Sequence, residues 1–119
     1  MDIRIYVYHH ADANINKNRY FEPIQGGRSI ADTKFAGMIG DDTGDNISAR
    51  NRDWGELTAL YWIWKNTRHD YVGLNTEKSY LSFSEHGRQQ ISLLNKQMDF
   101  IDFCSQNIEE RCSQHRFLT

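Results

Sequence analysis

One proline, two cysteines and no long apolar run set the first limits on this 119-residue chain. No stretch approaches the ~20 apolar residues that a membrane-spanning helix needs, so no transmembrane segment is expected. Met1-Asp2-Ile3-Arg4 lacks the basic and then apolar order of a secretory leader, which makes a cytoplasmic location the expectation. Cys104 and Cys112 are eight positions apart. On one helix that spacing is about 12 Å, too far for a disulfide. Without Cys-x-x-Cys spacing they make no metal site either, and free thiols in a reducing compartment are the plain reading. Lysines and arginines are scattered, and the net charge is -2, so no nucleic-acid partner is expected. There is no internal repeat and no low-complexity tract.

What is present is enough for one modest domain: 39% hydrophobic and 13% aromatic residues allow a single core. The chain is organised around residues 40–66. The first part is a polar loop in which Asp41, Asp42 and Asp45 lie close together, with Gly40 and Gly44 permitting tight turns. Carboxylates packed this closely repel one another unless they are solvated, bound to donors or bound to a cation. The spacing is not that of an EF-hand. A solvated turn that caps the next element and a loop that holds a ligand or its metal are both open.

The second part reads as a helix. Leu57, Leu60, Tyr61 and Trp64 fall at i, i+3, i+4 and i+7, which predicts one buried face. Asp53 and Glu56 have capping-box spacing. Lys65 suits the C-terminal end of the dipole, and Asn66 is placed to terminate the helix in a left-handed conformation. With Trp62 off the stripe, the helix is apolar over much of its surface, and its aromatics are assigned to the core.

Ile3, Ile5 and Val7 alternate with Arg4, Tyr6 and Tyr8, a period of two that predicts a first strand. It runs into His9 and His10. In open α/β sheets ligands gather beyond the carboxyl ends of strands, where a histidine could bind phosphate or metal or move a proton. Adjacent strand residues point to opposite faces, so at most one of the pair would face a pocket. A polar strand end is the bland alternative. Residues 14–20 read as loop, residues 21–27 as a short extended piece and a turn, and residues 28–38 as an irregular turn of helix. Gly26-Gly27 is too short a signal for a phosphate loop. Tyr71 to Leu74 reads as a buried strand parallel to the first, giving βαβ order. Residues 80–83 read as extended and residues 84–90 as a charged linker. Ile91, Leu94, Met98, Ile101 and Ile108 predict a long second helix from Gln89 to about Cys112, with one skipped position at Ser105. That helix is expected to pack on the sheet or on a partner. Residues 113–119 read as a frayed end.

Several strings resemble a known family: Ile5-Tyr-Val-Tyr-His-His10, Tyr20-Phe-Glu-Pro-Ile-Gln-Gly26, Gly40-Asp-Asp-Thr-Gly-Asp-Asn-Ile-Ser48, Glu56-Leu-Thr-Ala-Leu-Tyr-Trp-Ile-Trp-Lys-Asn66 and Tyr71-Val-Gly-Leu74. They are similar, in order and spacing over roughly residues 3–83, to bacterial glycosyltransferase-like proteins of capsular polysaccharide and O-antigen gene clusters. The resemblance implies an α/β fold, a GT-A-like nucleotide-binding half-domain over residues 1–83, followed by a C-terminal helical segment over residues 84–119. It implies transfer from a nucleotide-sugar donor, often a UDP-sugar, to a polysaccharide or lipid-linked acceptor, at or near the inner membrane face. A divalent cation, Mn²⁺ or Mg²⁺, would offset charge on the leaving diphosphate. The candidate ligand contacts are His9, His10, Asp41, Asp42, Asp45, Asn46 and Glu56, with Asp41, Asp42 and Asp45 as the candidate metal ligands. The catalytic base is not identified.

The chain departs from the family pattern in one segment. Where members carry His-Tyr-Arg-Arg-Tyr, this sequence has Thr76, Glu77, Lys78, Ser79 and Tyr80, so a doubly positive string has become nearly neutral. Members are also longer, and the chain reads as a short or truncated member with an incomplete catalytic domain. The rival reading is a non-enzymatic module that keeps the fold and dimerises, or binds another protein, through Leu94, Met98, Ile101 and Ile108.

Overall fold

The computed structural model describes residues 1–13, 15, 17–77, 81 and 100–115. Among these, four parallel strands form one sheet in the order β3-β2-β1-β4: β1 Ile3–His9, β2 Phe21–Gln25, β3 Ile39–Gly40 and β4 Tyr71–Thr76. β1 pairs with β2 on one side, His9 opposite Gln25, and with β4 on the other, Tyr8 opposite Thr76. The parallel strand expected at residues 71–74 is therefore present and lies beside the first, but it is not buried as expected: Val72 is exposed and Tyr71, Gly73 and Leu74 are half-buried. The extended piece at residues 21–25 is also a strand of the same sheet.

Helices cover both faces. Ile3, Ile5 and Val7 join Phe21, Ile101, Cys104, Ile108 and Cys112 in one cluster. Tyr6 and Tyr8 join Ile24, Ala59 and Ile63 in the other. Alternate residues of β1 thus enter opposite cores, and a central parallel strand buried on two sides is rich in β-branched and aromatic residues for that reason. At its amino end β1 is tied to the approach of β4. His69 bridges the Tyr6 hydroxyl (3.0 Å) and an Asp2 carboxylate oxygen (2.9 Å).

The helix after the aspartate loop forms, but with a different start and the opposite face inward. A short helix α1, Asn51–Trp54, precedes α2, Leu57–Asn66. Between them Gly55 adopts φ 53°, which favours glycine. Asp53 consequently lies inside α1, and no side chain caps α2, so the expected capping box does not form. The buried residues of α2 are Thr58, Ala59 and Ile63. Of the predicted core stripe, Leu57, Leu60 and Trp64 are 44%, 47% and 69% exposed, and Tyr61 is half-buried. The helix ends at Thr67 in an extended conformation. Asn66 remains helical and donates its side-chain amide to the carbonyls of Asp45 (2.8 Å) and Trp62 (3.0 Å) rather than taking a left-handed turn.

The expected long C-terminal helix is not continuous. Two short helices occur, α3 Phe100–Cys104 and α4 Ile108–His115, separated where Asn107 takes φ 64°. Asparagine tolerates that conformation better than most residues. The break falls at the position where the apolar spacing skips Ser105, whose hydroxyl donates to the Ile101 carbonyl at 2.7 Å. Residues 113–115, expected to be frayed, are helical. The readings for residues 78–80, 82–99 and 116–119, including the extended piece at 80–83 apart from Leu81, and Ile91, Leu94 and Met98, lie outside the described residues. Among the described residues, no helix is long and apolar enough to cross a membrane.

Candidate functional site

In the strand order β3-β2-β1-β4 the chain leaves β1 toward one side and later returns to the other. The reversal point is the gap between β1 and β4, the place where open α/β sheets collect ligands beyond the carboxyl ends of their strands. A cleft of about 320 Å³ opens there, lined by Tyr8 and His10 of the β1 end, Thr76 and Glu77 of the β4 end, and Glu56 from the turn before α2. Its size is at the lower end of small-molecule sites. The lining brings two carboxylates together with an imidazole and two hydroxyls, and among the described residues it includes neither lysine nor arginine.

The two histidines divide. His10 is exposed and lines the cleft, its ring near-parallel to that of Tyr8, with 6.1 Å between centroids and 22° between planes. His9 is buried, and its Nδ1 meets Glu77 Oε2 at 3.0 Å. That contact orients the Glu77 carboxylate at the cleft edge. Glu77 and Thr76 are site residues that sequence reasoning did not propose. Their segment stood out only as a departure from the family string.

In the aspartate loop, Asp41 is taken up by protein donors. Asp41 is fully buried and both of its carboxylate oxygens are used. Oδ1 accepts from Arg28 N–H (3.1 Å) and the Ser48 hydroxyl (2.5 Å); Oδ2 accepts from Gly27 N–H (2.8 Å) and the Thr58 hydroxyl (2.6 Å). These donors replace the hydration that burial removes. The carboxylate thereby occupies the backbone N–H groups of Gly27, which has φ 64°, and Arg28, while Gly26 N–H donates to the His9 carbonyl. Asp45 is exposed and accepts from the Tyr61 hydroxyl at 2.9 Å, a bond that pushes the Tyr61 pKa up. Asn46 turns the chain locally, its amide donating to the Gly44 carbonyl (3.0 Å) and its oxygen accepting from Ser48 N–H (3.1 Å). Asp42 is half-buried at the end of β3. Among the described residues, no three of His, Cys, Asp and Glu converge to hold a metal ion. Of the candidate contacts, His10 and Glu56 line the cleft and His9 reaches it through Glu77. Asp41, Asp45 and Asn46 make their bonds within the loop and its neighbours.

The family model described as Domain of unknown function (DUF4422) matches residues 4–116. The chain belongs to this family. This DUF4422 chain is similar to a solved structure titled as the apo form of the WbbM bifunctional glycosyltransferase. The two are 29% identical with a TM-score of 0.61, over 89% of this chain and 21% of that one. The DUF4422 chain thus spans about a fifth of the length of that relative. Among curated proteins none matches. The similarity is to a glycosyltransferase, and the mixed α/β architecture with a parallel sheet is consistent with a GT-A-like half-domain.

Outside the cleft, the DUF4422 chain carries an apolar surface on the outward side of α2. Ile47, Trp54, Leu57, Leu60, Tyr61 and Trp64 line a shallow groove there.

Proposed function

We propose that this chain is a glycosyltransferase-like domain of surface polysaccharide biosynthesis that binds a nucleotide-sugar donor, with the cleft between the ends of β1 and β4 as the donor site. The observation that carries this reading is the position of the cleft, at the sheet's reversal point in a chain similar to a glycosyltransferase. Glu56 and Glu77 offer carboxylate oxygens to ligand hydroxyl groups, and the exposed His10 ring, backed by Tyr8, offers a flat surface to a base or sugar. Glu56 and Glu77 would repel a diphosphate, and the described lining residues include no cation, so the hydroxyl-rich or base end of the donor is assigned here. The described carboxylates do not gather around a metal position, and Asp41 has no free oxygen to give one. A divalent cation therefore enters the proposal only as a variable of the titration. The acceptor is a growing polysaccharide or its lipid-linked form.

The test is calorimetric titration of the purified chain with UDP and UDP-sugars, with and without Mn²⁺, repeated with Glu77→Gln and His10→Ala. Binding that both substitutions weaken at unchanged thermal stability supports the donor site. No binding at millimolar UDP removes it.

A second reading has its own observation. The outward face of α2 exposes Trp54, Leu57, Leu60 and Trp64, more apolar surface than a lone helix face ordinarily leaves in water. An interaction module would use this face. It would not use Ile101 and Ile108, which are buried in the chain's own core.

A further inference from the structure

The cleft wall and the aspartate loop are joined by one continuous set of hydrogen bonds. Asp41 Oδ2 accepts from the Thr58 hydroxyl at 2.6 Å, which in turn accepts from the Asn51 side-chain amide at 2.9 Å. The same amide lies 3.2 Å from the Tyr8 hydroxyl and 3.0 Å from the Gly55 carbonyl, so its two hydrogens are shared among three acceptors. Tyr8 is thereby held at its far end by α1, while its ring lies against Gly26. A Cβ at Gly26 would overlap that ring, and a Cβ at Gly27 would overlap Asn51. The Gly-Gly pair lets the β2 turn approach both members of the set.

We infer that Asn51 is a positioning residue for the cleft, and that the buried Asp41 acts on the ligand only through Thr58, Asn51 and Tyr8. The inference rests on the reading of the cleft as the ligand site. Its physical content is pre-organisation. Tyr8 forms part of the cleft wall and His10 lies along it, so a Tyr8 ring fixed at its hydroxyl fixes the surface that a ligand meets. Ordering that wall in advance removes part of the entropic cost of binding. Asp41 supplies the fixed end, because a carboxylate with four donors around it has one arrangement. Neither Asp41 nor Asn51 needs to touch the ligand.

The experiment compares the intact chain with Asn51→Ala, Tyr8→Phe and the double variant. Tyr8→Phe keeps the ring and leaves the Asn51–Thr58 and Asn51–Gly55 bonds in place, so it tests the link even if Asn51→Ala unfolds. Two readouts are taken. The first is the NMR resonance of the His10 ring protons without ligand, which the adjacent Tyr8 ring shifts. The second is UDP affinity by calorimetry. The expected result is that both single variants move the His10 resonance in the same direction. Each also weakens UDP binding roughly threefold to tenfold, the worth of one hydrogen bond, and the double variant is no weaker than the singles. A His10 resonance and a UDP affinity that stay at wild-type values in Tyr8→Phe overturn the inference, as do losses that add in the double variant. If the wild-type chain binds no UDP, the donor-site reading falls, and the His10 resonance decides the positioning link by itself: moved sustains it, unmoved overturns it.

Discussion

Thr58 donates its hydroxyl to a carboxylate oxygen of Asp41 across 2.6 Å, and this bond sets which way the central helix faces. A polar side chain occupies the middle of the buried face because a buried acceptor waits for it. With Thr58 inward, Ala59 and Ile63 follow, and the apolar stripe through Leu57, Leu60 and Trp64 turns to solvent. Asp41→Ala would leave four donors facing a cavity, two of them backbone N–H groups. Unsatisfied buried donors cost about 1–3 kcal/mol each. The expectation is a loss of more than about 3 kcal/mol in urea unfolding, or failure to fold. Asp45→Ala, at an exposed site, should stay within about 1 kcal/mol. Equal effects at the two positions would contradict the hub role of Asp41.

The facing of α2 is tested by a pair of substitutions. Ile63→Ala removes a side chain that is buried between Tyr6, Tyr8 and Ile24 and should cost roughly 2–5 kcal/mol. Trp64→Gln changes a residue that already meets solvent and should cost about 0.5 kcal/mol or less. Chemical denaturation reads both. A larger loss at Trp64 than at Ile63 would mean that the helix is rotated to bury its aromatic stripe.

How much of this could be read from residues alone depends on what each signal counts. Strand β1 was legible because its β-branched and aromatic residues report burial directly; β4 was placed correctly beside it, although Val72 is exposed and Asn75 is its one buried residue. The orientation of α2 was not, because apolar spacing gives no weight to Thr58, whose burial is specified by Asp41, 17 positions away. The break between α3 and α4 left a trace at Ser105, but the left-handed conformation of Asn107 did not. Glu77 was missed for a similar reason: its partner His9 is 68 positions distant. His10 and Glu56 were named separately from the sequence, and their convergence on one cleft is a property of the sheet order.

The cysteines give a pH prediction. Burial pushes Cys104 from the ordinary 9.0 up to about 11, and raises Cys112 as well. A thiol that stays protonated when folded but ionises when unfolded adds nothing to the unfolded state below pH 9. As pH rises from 9 through about 11, the unfolded state loses protons that the folded state keeps, and stability falls. Urea midpoints measured from pH 8 to 11 should decline over that window, and by less in a Cys104→Ala variant compared with itself at pH 8. At pH 8 the native thiols should react slowly with a disulfide reagent and both should react fast in urea. Rapid labelling of the native chain would place a thiol at the surface.

Gly26→Ala tests the contact between the β2 turn and the cleft wall. The added methyl would overlap the Tyr8 ring, so either the ring moves or the turn does. Overpacking of this kind costs about 1–3 kcal/mol. The expected signature is a lower thermal midpoint together with a changed near-ultraviolet circular dichroism band from the tyrosines. An unchanged midpoint and an unchanged band would show that the ring has room to spare.

Ile101→Asp separates the chain's own core from a partner surface. Ile101 is 1% exposed and packs with Ile3, Ile5, Val7 and Phe21, so α3 supplies one cover of the sheet. An aspartate there would have to stay charged without a partner, or become neutral at the expense of its ordinary pKa. The variant should lose the cooperative unfolding transition, as judged by far-ultraviolet circular dichroism during heating. If Ile101 instead formed a dimer seam, the same substitution would give a folded monomer with wild-type circular dichroism and half the mass by light scattering. The two outcomes exclude each other. The core position of Ile101 predicts the first.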